Sequence, residues 1–205
     1  LGPRPGVASA GRGDPAAQAE ILAGALKALG FEAADVLAAR SSVPAALELA
    51  KHGSARRLAL IGAPVMSEAE TAEIAANALP SLAPRWDGTH LIGAWHMVRY
   101  QAMFFPWTQM RIENAVPGEP RTSVSEIHKR TVELLKAGDR YRDAVLGALR
   151  YPLAAELRAA KGPVEIVAPP WEWYMGPAKR AAAVLGRPLM MLPGEPKDWP
   201  GALFG

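Results

Sequence analysis

The sequence predicts an α/β fold built on a parallel sheet. Two observations carry this. Asp35 to Gly62 reads as an apolar strand, a helix and a second apolar strand, a βαβ unit whose crossover connection makes the strands parallel. The same order returns at Val164 to Leu192. Between the two runs, residues 66 to 160 read almost wholly as helix.

Residues 1 to 14 are rich in Gly and Pro and read as loop. Asp14 and Pro15 open a helix over about 16 to 29, with Asp as cap and Pro at the first helical position. Its spacing puts Ile21, Leu22, Ala25, Leu26 and Leu29 on one apolar face, and Gly30 ends it. Asp35 to Ala39 is the first strand. Arg40, Ser41 and Ser42 form a turn, and Ser42 is positioned to cap a helix that begins at Val43 and Pro44. Arg57 to Gly62 is the second strand.

Ser67 with Glu70 spells a capping box for a helix to about Leu79. Trp86-Asp87-Gly88 is a turn signal, and Thr89 to Phe105 is apolar at helical spacing. Residues 117 to 120 read as loop. Ser123 with Glu126 opens another helix to about Lys136, and Gly138 to Tyr151 reads as one more, stopped by Pro152. Val164 to Ala168 and Leu189 to Leu192 are strands flanking a helix over Pro177 to Leu185. Asp198-Trp199-Pro200 begins a short last helix.

Composition narrows the functions. At 205 residues and 50% hydrophobic, the chain is long enough for a substantial core. A net charge of +3, spread evenly, does not argue for nucleic acid. The absence of cysteine excludes disulfides and thiolate metal sites and fits a cytoplasmic protein. No apolar run is long enough to span a membrane. The first residues lack the order of a signal peptide, and the chain opens on Leu1 rather than Met, which reads as processing or truncation. Gly11 and Gly13 do not follow a strand, so no dinucleotide site is expected. No cofactor is expected, and the four His lack metal-ligand spacing.

The order of elements resembles the α/β-hydrolases with a helical cap. The resemblance rests on Asp35 to Ser41 with Ala45 to Ala50, on Arg57 to Pro64, on Trp86 to His90 with Trp95 to Met97, and on Leu192 to Gly194 with Asp198 to Pro200. It implies three parts: residues 1–65 as the first part of the α/β core, 66–160 as an all-helical cap, and 161–205 as the rest of the core. It also implies a missing N-terminal half. In the family about four strands precede the helix that starts at Ala16. Without them the strand at Asp35 has an open edge, expected to be covered by a partner chain, by a second copy in a homo-oligomer, or by residues before Leu1 in a longer precursor.

The resemblance also suggests site residues. The nucleophile turn of the family is G-x-S-x-G. Aligned on Ser41 it reads Ala39-Arg40-Ser41-Ser42-Val43, with neither glycine present. Ser41 stands as the nucleophile, Glu172 as the acid that orients a base, and His96 as a base drawn from the cap, since no His lies from Leu189 to Gly205. Arg40, Ser42, Trp95, Trp107 and Trp171 are expected to contact substrate. The implied activity is to act on, or to bind, a small apolar ester-like molecule between core and cap. The alternative is an inactive member serving as a ligand-binding or partner subunit, which the missing His and glycines favour.

Overall fold

The computed structural model describes residues 13–116, 118–119 and 123–204. Most of the N-terminal loop and two positions of the 117–120 loop lie outside the described residues.

Helix α1 (Pro15–Ala28) leads into strand β1 (Ala34–Ala39), and helix α2 (Val43–Lys51) connects it to β2 (Ala55–Ile61). Five helices follow: α3 (Glu68–Asn77), α4 (Thr89–Gln101), α5 (Val124–Ala137), α6 (Arg140–Arg150) and α7 (Leu153–Ala159). Then come β3 (Val164–Ala168), α8 (Met175–Leu185), β4 (Met190–Met191) and α9 (Trp199–Phe204). The strands form one parallel sheet in the order β1-β2-β3-β4. All four therefore end on the same side, where ligands of open α/β sheets bind.

Alternation along the strands divides the core. Leu58, Leu60, Val164 and Ile166 point to the face covered by α2, α7 and α8, against Leu47, Leu157 and Ala178. Ala59, Ile61 and Val167 point to the other face, where Trp199, Leu203 and Phe204 of α9 lie. A separate cluster forms inside the helical insert, where Ile74, Ala78 and Leu79 pack with Phe105, Trp107, Tyr141 and Val145.

Most elements fall where the sequence places them. The capping box at the start of α3 is formed on both sides, with Ser67 Oγ accepting from the Glu70 N–H at 3.2 Å and Glu70 Oε2 from the Ser67 N–H at 2.7 Å. Two readings are corrected. Helix α7 was not expected, and it does not belong with the helices before it. Its Leu153 and Leu157 pack in the main core with Leu47, Leu60 and Ile166. The second correction concerns α1. Its expected buried face is largely in solvent, with Ile21 71%, Leu22 46% and Leu29 72% exposed, and only Ala19 is buried. Helix α1 packs on α2 beside β1, the edge strand, and beyond that edge there is no further sheet among the described residues.

Candidate functional site

The site forms at the C-terminal ends of three adjacent strands. Arg40 follows β1, Gly62 follows β2, and Glu172 sits in the loop after β3.

Arg40 has a backbone φ of 54°, the one positive φ among the described non-glycine residues. A side chain in this left-handed region costs about 1–2 kcal/mol and persists where the surroundings dictate it. Here the turn reverses the chain from β1 into a single 3-10 turn, Arg40–Ser42, and on into α2. Ser42 fixes it from within. Its Oγ accepts from the Ala39 N–H at 2.9 Å and donates to the Ala39 carbonyl at 2.8 Å. Ser42 thus closes the turn instead of capping α2, which has no side-chain cap. Helix α6 packs over the turn.

The guanidinium of Arg40 meets Glu172 in a two-pronged pair. Nε donates to Oε1 at 3.1 Å and Nη2 to Oε2 at 2.9 Å. Glu172 is fully buried, and its Oε1 also accepts the Tyr174 N–H at 2.9 Å. Both carboxylate oxygens are therefore committed. The Arg40 guanidinium lies 4.5 Å over the Trp173 ring, a cation–π contact. Burial pushes its pKa down while the charge of Glu172 pushes it up; arginine stays charged in proteins regardless. Burial also pushes the Tyr174 hydroxyl up to about 12. Gly62, at φ +57°, leaves room for the pair: a Cβ there would stand 2.8 Å from Glu172 Oε1.

A cavity of about 220 Å³ opens beside the pair. Arg40, Ser41, Trp173 and Tyr174 line it from the strand ends. Ile74, Leu79, Met97, Phe105, Leu134 and Val145 line it from the insert, so its walls are mostly apolar. A second cavity, about 30 Å³, lies on another side of Arg40 and Trp173 and is lined also by Gln101, Trp171, Glu119 and Arg130.

No family model matches the sequence, and no curated protein matches it. Solved structures do match. A hydrolase from Pseudomonas aeruginosa superposes with a TM-score of 0.55 at 20% identity, over 87% of this chain and 63% of that one. A thermophilic esterase from Thermogutta terrifontis, crystallised with malate bound, gives 0.53 at 16% identity, over 93% and 66%. An alpha/beta hydrolase enzyme from a Medee basin deep-sea metagenome library gives 0.53 at 14%, over 88% and 64%. The fold is α/β-hydrolase-like. The chain spans under two thirds of the length of each of these three structures.

In the hydrolase fold the nucleophile sits on the strained strand-to-helix turn. The strained residue here is Arg40, one position before Ser41. Aligned on Arg40, the pentapeptide reads Ala38-Ala39-Arg40-Ser41-Ser42. This register also removes the bulk at the second glycine position. Ala38 and Ser42 are small, as a close-packed turn requires, whereas Val43 is a fully buried core residue at the start of α2. Ser41 is half-buried and still lines the larger cavity, one residue beyond the strained position.

Glu172 is in the loop after β3, as expected, but its partner is Arg40 rather than an imidazole. His96 does not line the cavity with Ser41. It is exposed on α4, with its ring edge-on to Tyr100 at 5.5 Å, because the inward side of α4 is set by Ala94, Met97 and Val98. Trp95 is likewise not a lining residue, and Met97 takes that role. Ser42 is exposed and engaged in its own turn. Trp107 lines the larger cavity and is held by a 3.0 Å bond from its Nε1 to the Ala78 carbonyl. Trp171 lines the smaller one, with Nε1 donating to the Gly194 carbonyl at 3.0 Å.

Sequence reading missed Gly62, Trp173 and Tyr174 at the site. It also missed that Arg40 holds the strained position. One signal was present: small residues two places either side occur around Arg40 and not around Ser41. Among the described residues no group of His, Asp and Glu could hold a metal ion, and no helix is long and apolar enough to cross a membrane.

Proposed function

We propose that this hydrolase-fold chain binds a small, mostly apolar molecule in the cavity between the strand ends and the helical insert, and does not hydrolyse it. The observation that carries this is the buried Arg40–Glu172 pair. A guanidinium does not lose its proton and is no nucleophile. Glu172 is held by Arg40 rather than by an imidazole, and a serine without a base is a weak nucleophile. The pair converts a turn that carries catalysis in the fold into a fixed wall. The cavity beside it has the mostly apolar lining of a ligand site, and its volume of about 220 Å³ suits only a small molecule.

The test is an NMR titration of methyl-labelled protein with p-nitrophenyl butyrate. Shifts at Met97 and Leu79 with the ester intact support the reading. Release of nitrophenolate above the buffer rate contradicts it.

A further inference from the structure

Strand β1 is an edge of the sheet, and the direction of its backbone groups can be read from its partners. The Ala34 N–H donates to the Ser54 carbonyl at 3.1 Å, on the side of β2. The Ala39 N–H and carbonyl meet the Ser42 hydroxyl instead. Along a strand, the N–H and C=O of one residue point to one side and those of the next to the other. Val36 and Ala38 therefore point with Ala34 toward β2. Asp35 and Leu37 point with Ala39 toward the open edge. Edges are commonly blunted by Lys or Pro, and β1 has neither. Its one charge, Asp35, is drawn toward Arg57 at 2.8 Å and Arg56 at 3.4 Å.

An uncovered apolar stripe runs beside this edge. Ile21, Leu22 and Leu29 share the outer side of α1, and they and Phe31 are exposed. Helix α1 packs on α2, and α2 covers the sheet face that holds Val36 and Ala38.

We propose that two copies of this chain join edge to edge through β1, antiparallel, about a twofold axis normal to the sheet. Identical strands meet antiparallel in one sheet only about such an axis, and it keeps every helix on its own face. The open groups then match. Asp35 and Leu37 of one copy exchange N–H···O bonds with Leu37 and Asp35 of the other, and Val36 stands opposite Val36. Asp35 faces a leucine, so no like charges oppose across the strands. The same axis brings α1 against α1 of the second copy, running the other way. A contact centred near Gly24, which has open space around it, covers the stripe and sets Glu20 against Lys27 of the second copy. Backbone groups, apolar stripe and charges thus complement themselves, which selects a second copy over an unlike partner. A contact of this kind closes on itself, so the product is a dimer and not a fibre.

Sedimentation equilibrium of the wild-type chain, Leu37→Pro and Ile21→Lys across micromolar concentrations tests it. The wild type is expected at twice the chain mass of 21.8 kDa. Proline at an outward-facing edge position keeps the extended backbone and loses the N–H that the pairing needs. Both variants should sediment at the single-chain mass with unchanged far-UV circular dichroism. A monomeric wild type leaves the edge to some other occupant and overturns the proposal, as do open-ended assemblies. A dimer that survives Leu37→Pro in a folded protein overturns the strand pairing. If Leu37→Pro fails to fold, Ile21→Lys decides: a folded monomer supports the twofold contact, and an unchanged dimer overturns it.

Discussion

Arg40 and Glu172, 132 residues apart in sequence, are joined by two hydrogen bonds of 3.1 and 2.9 Å at the ends of β1 and β3. Glu172 has no solvent contact, so the pair is held to the terms of a buried charge. Desolvation takes back most of what attraction gives, but removing one partner strands the other. The pair therefore fixes the site more than it stabilises the fold.

Glu172→Ala should show this cost. It leaves the Arg40 guanidinium without its counter-charge and the Tyr174 N–H without its acceptor. A loss of about 3–5 kcal/mol is expected. Glu172→Gln keeps the shape and one acceptor and should lose less. Urea unfolding of both variants measures the difference.

Gly62→Ala should be costly for two separate reasons. The φ of +57° disfavours any Cβ, and the added methyl would stand 2.8 Å from Glu172 Oε1 and 2.9 Å from its Cδ. Gly53, at φ +76° with open space around it, is the control, since alanine there meets only the backbone term. Thermal melts should show Gly62→Ala clearly below Gly53→Ala. Equal melts would mean that the Glu172 carboxyl moves aside freely.

Acid should destabilise the protein through groups outside the cavity. Burial pushes the Glu70 carboxyl up, but hydrogen bonds from Arg180 and Ser67 outweigh it and leave the pKa below 4.5. The Leu82 N–H and the Ser81 hydroxyl hold Asp139 below 3.8. Carboxyls lowered on folding contribute stability that is full above their unfolded values and lost as pH falls through the folded ones. Unfolding free energy should then be level near neutral pH and decline below about 4.5. Glu70→Gln should flatten part of that decline in urea titrations between pH 3 and pH 7.

The strands and most helices were legible because their signals are local. Apolar runs mark β2 and β3, and the Ser67–Glu70 pair marks the start of α3. What escaped depends on the tertiary setting. Helix α1 carries a correct apolar period, but burial of Ile21 and Leu29 needs a neighbour that the sheet edge does not supply. Helix α7 is only seven residues long and follows Pro152 directly, so its pattern is too short to separate from the helix before it. The site was half legible. Glu172 was found because it is the carboxylate of its loop. Arg40 reads in the sequence only as a substrate contact, because its bonds to Glu172 depend on the geometry of the turn after β1, which residue type does not reveal.

The most direct test of the account is covalent. Wild-type protein and Ser41→Ala are treated with a fluorophosphonate and weighed intact. With Arg40 in the strained position and Glu172 committed to it, no adduct is expected on folded protein. A single adduct that disappears in Ser41→Ala would show an activated serine and would contradict the claim that the Arg40–Glu172 pair has replaced catalysis.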